Sequence, residues 1–355
     1  MSCERQQLNA SSLSKEDDRE NSSGRQEMRV VCRRLLERIA RQHAMMTRCS
    51  STVVVTQSQA AGYGSKEEDS RDESELVDSL LEYTESLMKD SRNHLVAYSG
   101  GVDSSLVLAL LQEVSTARDD CVVQAVLGIS PAVSREQVEM ARSVASHLDA
   151  RLVEVHTKEG GDEMYIENAG QACLACKTHL YSTLEAVLDH TSRQADDGGS
   201  FSLYNGTNAD DVQDPTRVGL VAARNFSVKS PLEFTTKAGV RRAARSLGLP
   251  NWNAAAAPCL RSRLALGVHA TQQHLRMIEE AERHARSSLR HVLDESSNLR
   301  VRMLTQQRAR VEVDQHIVPE ATQHQPEWDE TFRRMGFSSV DVSPFKSGSV
   351  ATKKT

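Results

Sequence analysis

The chain has 355 residues, seven cysteines, 39% apolar residues and a formal net charge of −6. That length accommodates one large domain or two moderate ones, and the acidic balance offers no global attraction for nucleic acid. No apolar stretch approaches the roughly 18–20 residues that a membrane-spanning helix needs, and unevenly spaced cysteines in so long a chain do not form a secreted disulfide framework. The start, MSCERQQLNASSLSKEDDRE, lacks an apolar segment and carries several acids, so neither a secretory signal nor an organelle transit peptide is expected. A reducing, cytoplasmic setting follows, where clustered cysteines bind metal or react more often than they crosslink.

Residues 1–74 read as an extension. The first 26 are rich in Ser, Glu, Asp and Gln and are expected to be disordered. EMRVVCRRLLERIARQHAMM places Val31, Leu35, Leu36 and Ile39 at helical spacing, as an accessory helix or, from a downstream start at Met45 or Met46, a targeting helix. SQAAGYGSKEEDSRDESE is a linker by composition. From residue 75 strands and helices alternate. HLVAYS is a buried strand and Asp103–Val114 a helix with Leu106, Leu110 and Leu111 on one face. CVVQAVLGI, ARLVEVHT and FSLYNGT are further strands, with FSVKSPL a fifth. Ser134 and Gln137 form a capping box at the helix of SREQVEMARSVASHL. This alternation predicts an α/β fold with an open parallel sheet over 75–265. Over 266–350 a charged helix, two short strands (LRVRML and ARVEVD) and a second helix predict a smaller α+β domain. Glu279, Glu280 and Glu282 are expected on the solvent face of the first of these helices.

The turn YSGGVDSSL carries more than a connector needs. A helix N-terminus presents unpaired N–H groups and about half a positive charge, which suits phosphate. Gly100 and Gly101 permit positive φ and close approach, while Ser99, Ser104 and Ser105 add hydroxyl donors. Asp103 is suited to a Mg²⁺ bridge or a cap. The spacing matches neither G-x-x-x-x-G-K-[ST] nor G-x-G-x-x-G.

SGGVDSS after an apolar strand resembles the PP-loop of ATP pyrophosphatases, the adenine nucleotide alpha hydrolase-like fold. CLACKTHLY (173–181), NGTNADDVQDPTRVGLVAA (205–223) and SPLEFTTKAGVRRAARSLGLPNWNAAAAPCLRSR (230–263), with the tail FKSGSV (345–350), resemble the LarE family of ATP-dependent sulfur transferases. The resemblance implies adenylation of a carboxylate of pyridinium-3,5-biscarboxylic acid mononucleotide and its conversion to a thiocarboxylate for the nickel-pincer nucleotide cofactor. It implies that Ser99, Gly100, Gly101, Val102, Asp103, Ser104, Ser105, Gly206 and Asn208 bind ATP, with Asp210 and Asp211 for Mg²⁺. Asp103, Lys177 and Cys259 become the catalytic set. Arg217, Arg263, Arg300 and Arg302 meet substrate phosphate, the last two projecting from one strand face, and Arg217 has an acid of its own loop as a second partner. Cys173, Cys176 and Cys259 would hold a [4Fe-4S] cluster with one iron open to added sulfide; in a second branch of the family Cys259 gives up its own sulfur. Arg261 and Arg263 are expected to favour a thiolate at Cys259. The resemblance also implies a homo-hexamer, with a small nucleotide substrate, an unassigned sulfur donor and no nucleic acid or membrane partner.

Simpler readings stand beside these. Asn208 or Asp210 is a helix cap, Arg300 and Arg302 line a solvated strand, and Cys173, Cys176 and His179 hold structural zinc. Cys3, Cys32, Cys49 and Cys121 match no part of the pattern. The match frays around the sulfur site: Asn253 and alanines stand where the family has an acid followed by Lys-Pro, and Arg261 replaces a small residue. A tRNA thiolase, an ammonia-using synthetase of the NAD, GMP or asparagine type, and a non-catalytic nucleotide-binding scaffold are the alternative functions. Aromatics at 4% disfavour the first.

Overall fold

The computed structural model describes residues 72–118, 121–194, 200–294, 296–346 and 348–349. The accessory helix, most of the linker, and Cys3, Cys32 and Cys49 lie outside the described residues. Contacts divide the chain into Met1–Gly62 and Tyr63–Thr355, and all described residues belong to the second unit.

A helix that the sequence reading did not include, α1 (Glu73–Met88), precedes the sheet and buries Leu76, Val77, Leu80, Leu81, Thr84 and Met88. The elements β1 (Asn93–Tyr98), α2 (Val102–Ser115), β2 (Val122–Ile129), α3 (Arg135–His147) and β3 (Leu152–His156) then alternate as expected. Next come α4 (Glu163–Glu167), α5 (Ala172–Gln194), β4 (Phe201–Tyr204), α6 (Ala209–Gln213), α7 (Gly219–Asn225) and α8 (Lys237–Ser246). The four strands form one parallel sheet in the order β3-β2-β1-β4. Helix α2 is buried on nearly all sides: Leu106, Val107, Leu108, Leu110 and Leu111 are each 0% exposed. The single apolar face read from the sequence is too narrow, because α1 and α8 cover the outer side of α2. At about 1.5–3 kcal/mol per buried aliphatic side chain, this helix anchors the layer that carries the glycine turn.

The fifth strand expected in FSVKSPL shrinks to one bridge, Tyr204 with Lys229. Ser227 has φ of 50°, and Pro231 has no N–H for a ladder, so the segment turns instead of pairing. The capping box at α3 is half formed: Ser134 Oγ accepts from Gln137 N, while the Gln137 side chain reaches Ser99 O at 3.5 Å.

The rest is an α+β region. After α9 (Gln272–Ser288), β5 (Leu299–Met303) pairs antiparallel with β6 (Arg308–Val313). Helix α10 (Val318–Met335) then leads to a third strand, β7 (Ser339–Pro344), parallel to β6 and absent from the sequence reading. Its core, with Trp328 and Phe332 at 0% exposure, is continuous with Tyr165, Ala172 and Ala175 of the first region. Among the described residues no helix is long and apolar enough to cross a membrane.

Candidate active site

The chain runs β1-β2-β3 outward on one side of β1 and then returns to place β4 on the other. The carboxyl ends of β1 and β4 are therefore a topological switch point, where open α/β sheets bind ligands. Both quoted glycine motifs sit there. Gly100 has φ of +74°, and a Cβ on it would lie 2.5 Å from Ala141 Cα of α3, so the fold itself demands glycine. Gly206 is likewise demanded, since a Cβ would lie 2.8 Å from the Asp103 and Ser104 backbone. Gly101 differs: its φ of −74° is ordinary and a Cβ would meet nothing closer than Ser99 Oγ at 3.5 Å. Gly101 is thus the glycine that packing does not require, and it is the N-cap of α2, where no side chain caps the first-turn N–H groups.

The serines divide by role. Ser104 Oγ donates to Gly101 O and accepts from Ser99 N, both at 3.1 Å. Buried Ser105 accepts at Oγ from Asn251 Nδ2, 3.0 Å, and the same amide donates to Gly100 O, 2.8 Å. Ser104 and Ser105 therefore brace the turn, and Ser99 is the exposed hydroxyl.

Asp103 faces the second motif. Its Oδ1 accepts from Asn208 Nδ2 at 3.1 Å, and its Oδ2 pairs with Lys237 Nζ at 2.5 Å. Asn208 also caps α6 in a reciprocal box with Asp211. Asp211 pairs with Arg217 at 2.7 Å, as one sequence alternative held, and Asp210 accepts the Lys237 N–H at 2.9 Å. The two acids assigned to Mg²⁺ are thus both engaged by protein donors. The loop then returns to the cysteine helix: Gly219 packs so close to Lys177 Cγ and the Cys173 carbonyl that a Cβ would lie 3.2 Å from the former.

Cys173 and Cys176 sit on the first turn of α5, and Cys259 caps the 3-10 turn Leu260–Arg263. The three sulfurs are electrostatically coupled to one another. Burial pushes the Cys173 thiol up, with Arg261 opposing, and burial followed by Cys259 pushes Cys176 up to about 12. Lys177 stays cationic: burial lowers its pKa, but Tyr181 and the three cysteines raise it further. Cys173 and Lys177 remain exposed to solvent at the start of α5. Arg261 Nη2 donates to Cys173 Sγ at 2.6 Å and its Nη1 to Asn168 Oδ1, and Cys259, then Cys173, are the thiols that favour its charge. His179 turns to Asp162, 2.9 Å away. Among the described residues no three His, Cys, Asp or Glu side chains converge tightly enough for one metal ion.

The arginines follow a different logic from the one read in sequence. Arg263, Arg300 and Arg302 are 4%, 3% and 5% exposed. Arg263 pairs with Glu282 at 2.9 Å and donates to the carbonyls of Pro258 and Cys259. Arg302 pairs with Glu312 at 2.9 Å and reaches Ser262 O. Arg300 donates to Leu299 O and Ala256 O, and among the described residues it has no carboxylate within 4 Å. Burial, then repulsion from Arg263, pulls it down to about 10. The solvated-strand alternative fails, because the loop carrying Cys259 lies over this face. Glu282 is likewise buried, correcting the expected solvent position. Arg217 lies apart, half exposed on the acid loop. Cys121 lies away from the other thiols in sequence and is half-buried, with Sγ 3.7 Å from His94 Nε2.

Lys237 and Asn251 are the site residues that the sequence reading missed. Lys237 is the first residue of α8, where the helix dipole repels a cation; that misplacement was the available signal for an anionic partner. Asn251, within a loop of Asn and Ala, carried none.

An open parallel sheet whose first strand passes through this turn into an uncapped helix at the switch point defines the PP-loop class of α/β folds. Two curated relatives refine that. The chain is 30% identical over 279 residues to an uncharacterized protein of Synechocystis sp., slr1717, covering 77% of this chain and 97% of the relative. It is 31% identical over 202 residues to the pyridinium-3,5-bisthiocarboxylic acid mononucleotide synthase of Lactiplantibacillus plantarum, covering 56% of this chain and 69% of the synthase. The chain belongs to the LarE family. No family model matches it.

Proposed function

We propose that the protein is an ATP-dependent sulfur transferase acting in nickel-pincer cofactor synthesis. It adenylates a carboxylate, releasing pyrophosphate, and a sulfur nucleophile then displaces AMP to leave a thiocarboxylate. The relationship to the Lactiplantibacillus synthase points to pyridinium-3,5-biscarboxylic acid mononucleotide as the substrate. One observation carries the reading: the loop 205–219 touches both halves of the chemistry, meeting Asp103 through Asn208 and the cysteine helix through Gly219.

The residues divide the work as follows. The first-turn N–H groups of α2, with Gly101 leaving their approach open, hold the pyrophosphate end of ATP. Lys237 and Asp103 form a polar pair at its rim; Asp103, Asp210 and Asp211 each accept protein donors, so whichever of them shares a Mg²⁺ ion exchanges a donor for it. Conversion to an acyl-adenylate gives the carboxyl carbon a leaving group, so that a thiolate or sulfide can attack it. Lys177 stands beside the thiols, where it balances negative charge. Arg300, held by backbone carbonyls and the Phe345 ring and by no carboxylate within 4 Å among the described residues, is the buried arginine most free to exchange partners for a substrate phosphate. The donor set of Cys173, Cys176 and Cys259, balanced by Arg261 and Lys177, fits a thiolate-held [4Fe-4S] cluster in kind. Such a cluster, when bound, supplies an open iron for sulfide. Incubation with ATP, Mg²⁺ and the pyridinium dicarboxylate nucleotide tests the first half. Pyrophosphate should appear with wild type and vanish with Asp103→Ala; equal release from both removes Asp103 from the scheme.

A further inference from the structure

A second polar site adjoins the thiols. Between the 3-10 turn Glu159–Gly161, helix α4 and the start of α9 lies a cavity of about 200 Å³, lined by Glu159, Tyr165, Pro131, Ala270 and Leu275 among others. Glu159 and Tyr165 are each 2% exposed, and among the described residues Glu159 Oε2 and the Tyr165 hydroxyl have no hydrogen-bond partner. Buried polar atoms in native proteins nearly always have partners, so two orphans on the lining of one cavity call for an explanation.

The cavity lies next to the sulfur chemistry. Tyr165 belongs to the packed core that Cys176 and Cys259 contact. Leu260, the neighbour of Cys259, donates its N–H to Ala132 O at 2.7 Å, beside the lining residue Pro131. The Tyr165 hydroxyl is a phenol that can both donate and accept a hydrogen bond.

Size and polarity restrict the occupant. About 200 Å³ falls below the ~300–1,000 Å³ typical of cofactor-sized ligands, so neither ATP nor the nucleotide substrate belongs there. Among the described residues no lysine or arginine lines the cavity, and an acid does, so an anion is disfavoured. The walls are otherwise largely apolar. A small uncharged hydride meets these conditions, with X–H bonds to give and a lone pair to receive.

We propose that this cavity receives the sulfur source as neutral dihydrogen sulfide, an S–H facing Glu159 and a sulfur lone pair facing the Tyr165 hydroxyl, on its way to the cysteines. The proposal rests on the sulfur-transfer reading for its purpose, though not for its measurement. Calorimetric titration of the full-length protein with sodium sulfide should show saturable binding in mildly acidic buffer, where the dihydride predominates, and little in mildly alkaline buffer. Tyr165→Phe, which keeps the ring, and Glu159→Gln should each weaken that binding about tenfold, the loss expected for one hydrogen bond. They should raise the sulfide needed for half-maximal thiocarboxylate formation by the same factor and leave pyrophosphate release unchanged. No acid-dependent binding to wild type, or variants that match it, means that the cavity holds ordered water only and overturns the proposal. Saturable binding without any ATP-dependent thiocarboxylate upholds the site and overturns the transferase reading instead.

Discussion

Glu282 is the residue whose burial the sequence conceals, and its replacement is the sharpest structural test. Its carboxylate holds Arg263 by two contacts, 2.9 and 3.3 Å, and accepts the Val301 N–H at 3.0 Å. The paired side chains are only 5% and 10% exposed, so solvent cannot stand in for a lost charge. Glu282→Gln keeps the shape and the acceptor for Val301 but leaves the Arg263 guanidinium uncompensated. Breaking a buried pair costs about 3–5 kcal/mol, and the retained hydrogen bond places this variant near ~3. At roughly 2–4 °C per kcal/mol, the melting temperature should fall by about 6–12 °C, read by circular dichroism. Replacing both partners with apolar residues (Arg263→Met with Glu282→Leu) should recover much of that loss, because two buried charges disappear together. Since Arg263 also holds the carbonyls of Pro258 and Cys259, thiocarboxylate formation should fall further than pyrophosphate release. A single variant that melts within about 1 °C of wild type refutes the reasoning.

The glycines of the turn should separate by role. Gly100→Ala places a Cβ against Ala141 at positive φ and should lose about 1–3 kcal/mol or more of stability, whereas Gly101→Ala should melt like wild type and yet bind ATP poorly; equal behaviour in both assays contradicts the assignment. Lys237→Met should remain folded while pyrophosphate release drops roughly 10–100-fold, as for loss of one charge-stabilising donor; unchanged kinetics would make the Asp103 contact merely structural. His94 is pulled from 6.5 to about 4 by burial, then by Arg118 and Lys229. Its unfolded form therefore takes the proton first, and the stability it contributes is present above 6.5 and lost as pH falls from there to about 4. Urea titrations should show up to ~3 kcal/mol lost across that window, and His94→Gln should flatten the decline; an identical acid limb in the variant rules out His94 as its source.

The sheet and the glycine turn were legible because apolar strands, capping residues and turn glycines all follow local rules. The buried charge network was not, because its partners come from distant segments. Glu282 looks solvent-exposed beside Glu279 and Glu280, although Leu275, Ile278 and Ala285 share its stripe of α9 and gave a signal. Arg300 and Arg302 do share a strand face, but nothing local announces that the loop 251–264 covers it. Chain proximity ties Arg261 to Cys259, and its length also carries the guanidinium to Cys173, which no local pattern announces. Strand β7 was missed because SVDVSP is short and polar, and it is pinned to β6 by pairing that no local pattern encodes.

The central claim is that ATP is split at the glycine turn to make a carboxylate accept sulfur supplied at the thiols. Mass spectrometry of the nucleotide product, after anaerobic incubation with ATP, Mg²⁺, the pyridinium dicarboxylate nucleotide and isotopically labelled sulfide, tests it most directly. The account predicts labelled sulfur in place of one carboxyl oxygen, with AMP formed in equal amount and Cys173, Cys176 and Cys259 intact. A nucleotide recovered without sulfur, with ATP unspent, contradicts it.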